Sequence, residues 1–221
     1  MSLVDVIIPT RNGADWLRGC LRALERSTWH DFSLIIVDDA SDDPEVEAFA
    51  ARSTSLLPLI VRLDQNVGFA GAMNAGLARS SAPYIALLNN DTEVTPEWLA
   101  ALVACAEARP EAGSIASRMR LLSDPTRFHS AGDTFSTTGI PNSRGVWLED
   151  VEQYDLDEPI FAACAGAALY RRKALRAVAL PNGQIFDERL RMYCEDVDLA
   201  WRLQCAGWHC WYAADALVLH A

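Results

Sequence analysis

The chain alternates short apolar runs with longer stretches in which apolar residues recur every three or four positions. Leu3-Val4-Asp5-Val6-Ile7-Ile8, closing at Pro9, predicts a buried strand. Trp16, Leu17, Cys20, Leu21 and Leu24 then recur at helical spacing, with Asn12 placed to cap that helix. Leu34 to Val37 predicts a second strand, ending in Asp38-Asp39, and a polar helix is expected from about Pro44 to Ser53. Leu59 to Leu63 predicts a third strand and Phe69 to Ser80 a helix of small residues. Tyr84 to Leu88 predicts a fourth strand, running into Asn89-Asn90-Asp91. Thr95-Pro96 reads as a cap and first turn for a helix that carries Trp98, Leu99, Leu102, Val103 and Ala106 and stops at Pro110. Regularity breaks after about Met119. Residues 120–160 read as an excursion with short strands, and Phe161 to Tyr170 returns to an apolar run. A last helix is expected from about Glu195 to Cys205 and a last strand at Leu217 to Leu219.

Buried strands separated by helices imply an α/β fold with a mostly parallel central sheet and helices on both faces. With no repeat or low-complexity linker, one domain is expected over residues 1–221, with halves of about 1–118 and 119–221. In such folds ligands bind beyond the C-terminal ends of the strands. That rule selects Pro9-Thr10-Arg11, Asp38-Asp39 and Asn89-Asn90-Asp91.

Charge narrows the choice of partner. The 221 residues carry a net charge of −11 without a Lys/Arg cluster, which argues against nucleic acid and against charge-driven docking on anionic membranes. The six cysteines form no Cys-x-x-Cys pair and fall mostly in apolar stretches, so a reducing, cytoplasmic compartment is expected. No signal peptide and no transmembrane segment is expected.

The polar strand ends carry the chemistry. In Asn89-Asn90-Asp91, one carboxylate and two amide oxygens suit a hard divalent cation, and taken alone suit an Asx turn better. In Asp38-Asp39-Ala40-Ser41-Asp42-Asp43, the later residues suit a helix cap, whereas Asp38 and Asp39 sit early enough to meet a ribose or base. Asn66-Val67-Gly68-Phe69-Ala70-Gly71, with Asn74 and Gly76, is a glycine-rich entry to a helix. It lets backbone amides approach phosphate or sugar, or packs tightly on the sheet. On the last helix Glu195, Asp198 and Arg202 share a face, and Asp198 can pair with Arg202. Asp196 falls elsewhere, near the helix start, as a candidate general base or a complement to the helix dipole. His220 is a structural histidine or completes a metal site.

These motifs occur in one order: Ile7-Ile8-Pro9-Thr10-Arg11-Asn12, Val37-Asp38-Asp39-Ala40-Ser41, Asn66-x-Gly68-Phe69-Ala70, Leu88-Asn89-Asn90-Asp91-Thr92, Glu195-Asp196-Val197-Asp198-Leu199, Trp201-Arg202 and Val218-Leu219-His220. The order closely resembles family 2 glycosyltransferases of the GT-A fold, the rhamnosyltransferase-like subgroup above all, over nearly the whole chain. The resemblance implies inverting transfer of a sugar from a nucleotide-diphospho-sugar donor to a hydroxyl of a glycan or lipid-linked acceptor. Rhamnosyl transfer in surface polysaccharide synthesis fits it, at the cytoplasmic or inner membrane face. It places Pro9, Arg11, Asp38, Asp39, Asn66, Gly68, Asn74 and Asn90 around the donor, and Asp91 and His220 on a divalent cation, Mn²⁺ or Mg²⁺. Asp196 is the implied base. Gly166, Arg144, Glu195, Trp201 and Arg202 fall on the acceptor side or in support, and Arg171-Arg172 near the sugar. The chain departs from the family's paired-carboxylate motif in having Asp91 alone, which implies a weaker metal site. Two other readings are a nucleotidyltransferase that makes the donor and an inactive binding module of the same fold. A dehydrogenase is disfavoured by the missing dinucleotide fingerprint.

Overall fold

The computed structural model describes residues 2–43, 46 and 56–221. Apart from Val46, the helix expected from Pro44 to Ser53 lies outside the described residues. The first half supplies β1 (Val4–Thr10), α1 (Ala14–Leu24), β2 (Phe32–Asp38), β3 (Leu59–Arg62), α2 (Gly68–Arg79), β4 (Tyr84–Leu88), β5 (Thr92–Val94) and α3 (Trp98–Ala108). The rest adds β6 (Ala112–Leu121), β7 (Phe128–Ser130), β8 (Asp133–Phe135), β9 (Pro141–Ser143), β10 (Glu158–Ile160), β11 (Ala167–Arg171), α4 (Arg172–Ala177), α5 (Glu195–Cys205) and β12 (His209–His220).

One sheet runs through both halves in the order β10-β12-β6-β11-β4-β1-β2-β3. β4, β1, β2 and β3 are parallel, as are β6 and β12. β11 runs antiparallel between β4 and β6 and joins the two parallel sets. Alternate residues of β1 face opposite sides, as a pleat requires. Val4, Val6 and Ile8 pack with α1 and α3, while Ile7 packs with α2, α4 and α5. Helices therefore cover both faces, and the architecture is the GT-A α/β fold.

Four local expectations are corrected. Asn12 does not cap α1. It sits at φ 52°, and its side-chain oxygen accepts the Asp42 amide at 2.7 Å, tying the loop after β1 to the loop after β2. Thr95 gives its hydroxyl to the Leu217 carbonyl, and α3 begins at Trp98 after Glu97. The last strand is longer than expected because Cys210 to Ala213 continue the pairing with β6 on the far side of a register shift. The run at 161–170 is a strand only from Ala167, and Ala162 instead bridges to Asp133. The excursion is pinned to β6 by Asp150, which accepts from both Arg118 and Arg120.

Candidate active site

The C-terminal ends of β1, β2, β4 and β12 open on one cleft of about 660 Å³. Its lining includes Pro9 and Arg11 after β1, Asp39 after β2, and Asn89, Asn90 and Asp91 after β4. Gly166, just before the reversed strand β11, reaches the same rim, because the Asn89 amide donates to the Gly166 carbonyl at 2.8 Å. His220 arrives on the end of β12, and Glu195 and Asp196 on the first turn of α5. Asp39, Asp91 and Asp196, far apart in sequence, thus share one cavity.

The wall of the cleft beside α2 is built around Asp39. Its two carboxylate oxygens accept the amides of Val67, at 2.7 Å, and Gly68, at 3.0 Å, so the strand end holds the loop that opens α2. Gly68 has φ +79°, and a Cβ there would meet the Arg191 carbonyl at 2.9 Å. Glycine is the residue that combines this left-handed backbone with that close approach. Asn66 accepts from Arg191 at 2.8 Å, and Asn90 donates to Thr10 at 2.9 Å. Opposite, Arg191, Tyr193 and Cys194 all have positive φ, at 55°, 72° and 67°. Non-glycine residues held this way cost roughly 1–3 kcal/mol each and concentrate where a function requires them. The turn they make presents Glu195 and Asp196 to the cleft.

At the end of β4, Asp91 Oδ1 lies 3.3 Å from His220 Nε2, and Asn89 Nδ2 lies 3.4 Å from the same nitrogen. Burial opposes the Asp91 charge, but the contact with His220 and the fields of His220 and His129 outweigh it and hold the carboxyl below its usual range. The His129 ring packs edge-on to His220 with centroids 4.2 Å apart. Burial, and then the His220 charge, push His129 down to about 4. Asn89 Oδ1, Asp91 Oδ1 and His220 Nδ1 are buried and accept no hydrogen bond. Neighbouring donors on an octahedral Mg²⁺-sized ion sit roughly 3.0 Å apart. The Asp91–His220 spacing, with an orphaned amide oxygen beside it, therefore fits a divalent cation completed by ligand oxygens.

Asp196 is partly buried. Its Oδ2 accepts the Ala165 amide at 3.1 Å and its Oδ1 the Val197 amide at 2.8 Å. Burial nevertheless raises it above the usual carboxylate range, against those hydrogen bonds. Asp133, Cys164 and Asp196 each bring one potential ligand atom to within 4.8 Å of the others. Burial, and then the charges of Asp133 and Asp196, push the Cys164 thiol far up, so this group is a carboxylate pair beside a neutral thiol.

Five expected site residues lie off the cleft. Asp38 turns inward to accept the Ser41 amide at 2.9 Å and Arg62 at 2.7 Å. Asn74 staples α2 to the 185–188 loop through the Ile185 and Phe186 amides and the Phe186 carbonyl. Arg144 binds the Ala131 carbonyl and Glu158 and lies over Tyr154. Trp201 stacks edge-on with Phe135 and Phe161, at 4.9 and 5.2 Å. Arg202 does pair with Asp198, at 2.7 Å, but its other donors clamp the Val178 and Ile185 carbonyls. Arg171 and Arg172 lie at the opposite end of the sheet, against Tyr84 and Ala82. Conversely, His129, Cys164 and the Arg191–Cys194 turn line the cleft without having been singled out as site residues. They sit on short strands or turns that carry no periodic signal.

The chain is 28% identical over 94% of its length to the uncharacterized protein y4gI of Sinorhizobium fredii, spanning 23% of that protein. It is 28% identical over 99% of its length to the N-acetylglucosaminyl-diphospho-decaprenol L-rhamnosyltransferase of Mycobacterium tuberculosis, spanning 76% of it. Among solved structures, GalNAc-T7 with UDP, GalNAc and Mn²⁺ superposes with a TM-score of 0.79 at 15% identity, covering 100% of this chain and 44% of the other. The mannosyltransferase PcManGT of Pyrobaculum calidifontis with GDP-Man and Mn²⁺ gives 0.71 at 18% identity, covering 99% and 56%. Residues 5–179 match the sequence profile of glycosyl transferase family 2. With the acidic rim in the place where this fold holds its ligands, the match assigns the chain to glycosyl transferase family 2.

Proposed function

We propose that the chain moves a sugar from a nucleotide-diphospho-sugar to an acceptor hydroxyl in one inverting, metal-dependent step. The observation that carries this reading is the cleft whose lining brings Asp91 and His220 together with Asp39 and Asp196. Asp91, His220 and the Asn89 amide oxygen would hold the cation. When bound, it neutralises charge on the departing diphosphate. Pro9, Arg11, Asp39, Asn66 and Gly68 border the space for nucleoside and phosphates. Asp196 takes the proton of the acceptor hydroxyl while the oxygen bonds to the anomeric carbon. The bond to the diphosphate breaks with its electron pair leaving on the nucleotide.

The Mycobacterium relative's name supports L-rhamnose as the sugar and a polyprenyl-diphosphate glycan as the acceptor class. Among the described residues no helix is long and apolar enough to cross a membrane. A lipid-linked acceptor would be met by peripheral association at the cytoplasmic face. The test is thermal stability with UDP, GDP and dTDP, each with and without Mn²⁺. Stabilisation by one nucleoside diphosphate that requires the metal is the expected result. A chain that responds to none of them, with or without metal, is not a transferase of this kind.

A further inference from the structure

The glycine-rich entry to α2 reads in the sequence as a place where backbone amides could meet phosphate. In the fold most of those amides are already taken. Val67 and Gly68 give theirs to Asp39, and Ala70 donates to the Arg191 carbonyl at 3.0 Å. The charge that a phosphate needs has to come from side chains.

The lining of the cleft sets four carboxyl groups, on Asp39, Asp91, Glu195 and Asp196, against two guanidiniums, on Arg11 and Arg191. Such a rim repels a diphosphate, and one divalent cation offsets only part of that repulsion. The two arginines supply the remainder, and of these Arg191 is held in place twice. Its carbonyl takes the Ala70 amide and lies 2.9 Å from where a Cβ on residue 68 would stand, a space that glycine leaves open. Its Nη2 donates to Asn66 Oδ1 at 2.8 Å. The other guanidinium donors have no protein partner among the described residues, and the side chain is exposed on the cleft. A planar fork anchored at one corner, with its other donors open, suits a pair of phosphate oxygens.

We propose that Arg191 is a diphosphate-binding residue, oriented by Asn66 and the Gly68 turn so that its open donors meet the phosphates of the sugar nucleotide. This rests on the transferase reading above. Asn66 then acts as a positioning residue, through Arg191. The contact joins residues 125 positions apart, and it ties the turn that precedes Asp196 to the loop that Asp39 holds.

The experiment is titration calorimetry in Mn²⁺ with UDP, GDP and dTDP, with the matching nucleoside measured by competition. Farnesyl diphosphate is a second arm, because a lipid-linked acceptor would bring the same chemical group. Arg191→Met keeps the apolar stem and the backbone contacts but removes the charge. It should weaken the preferred nucleoside diphosphate by about tenfold or more and leave the nucleoside within about twofold. Arg191→Lys returns the charge without the fork and should recover part of the loss. Should Arg191→Met fail to fold, Arg191→Lys alone should still bind the diphosphate several-fold less tightly than wild type, with the nucleoside unmoved. A loss confined to farnesyl diphosphate supports the binding role and assigns the group to the acceptor. A residue that only braced the turn would lower nucleoside and diphosphate affinity alike. That result, or wild-type affinity for both kinds of diphosphate in Arg191→Met, overturns the proposal and leaves the transferase reading intact. If wild type binds none of these compounds, the transferase reading fails and this inference falls with it.

Discussion

Asp91 and His220 meet at 3.3 Å across the rim, one at the end of β4 and the other at the end of β12. The contact exists because β12 pairs with both β6 and β5, which carries the last strand back to the Asn89–Asp91 turn. If the pair holds a cation, His220→Ala should weaken Mn²⁺ binding in the presence of UDP by about tenfold or more. Titration calorimetry with Mn²⁺ measures this, and circular dichroism should show the fold retained. Equal Mn²⁺ affinity in the variant would remove His220 from the site.

Asp196→Asn keeps an oxygen acceptor for one of the two backbone amides, sets an NH₂ against the other, and removes the group that can take a proton. Donor turnover should drop by about 10²–10⁴-fold, the usual share of a general base, with nucleotide affinity preserved. Steady-state donor hydrolysis beside a UDP-binding isotherm separates the two effects.

Gly68→Ala places a Cβ 2.9 Å from the Arg191 carbonyl on a backbone at φ +79°. The strain should cost about 1–3 kcal/mol and loosen the loop that Asp39 holds. Thermal unfolding should come several degrees earlier, and the donor KM should rise more than kcat falls. An unchanged melting temperature would mean that the turn relaxes at no cost.

Glu195 is buried with one carboxylate oxygen lacking a partner. Burial, with the Asp196 charge adding, pushes it up to about 7 against an opposing backbone hydrogen bond. The folded state therefore binds this proton more tightly than the unfolded state does. Stability falls as pH rises from the ordinary glutamate value of 4.5 toward about 7, and the full cost is present above that window. The loss is at most about 3 kcal/mol. In the donor-free chain, Glu195→Gln should be more stable than wild type at pH 8 and lose that advantage at pH 4. Calorimetric melting at the two values decides it.

The strand ends were legible because a buried β-run that stops in Asp or Asn places that residue on the rim by geometry alone. Asp39 and Asp91 are of this kind, whereas the Glu195-Asp196 pair was legible as the acidic first turn of a helix. Asp38 shows the limit. It is one residue from Asp39 and of the same type, but the pleat turns it inward to Ser41 and Arg62. Arg144, Asn74, Trp201 and Arg202 have side chains that suit a ligand site and instead find partners in distant segments, which spacing does not reveal. His129 and Asp133 sit on three-residue strands inside a stretch that reads as an excursion with short strands but gives no pattern that places them. The left-handed turn at Tyr193 and Cys194 uses residues that give no turn signal. The strand Ala112–Leu121 gives no readable apolar pattern because Gly113, Ser114, Ser117 and Arg118 interrupt it, although it holds an interior position in the sheet.

β11, running against its two neighbours, has a mechanical consequence. It stitches the first parallel set to the second, and the Asn89 amide bond to Gly166 prolongs that seam to the mouth of the cleft. The two parallel sets are welded through the backbone, unlike two lobes on a hinge, and pulling them apart would mean breaking the ladder between β4 and β11. Any widening or narrowing of the entrance falls to side chains and to the short turns that overhang it.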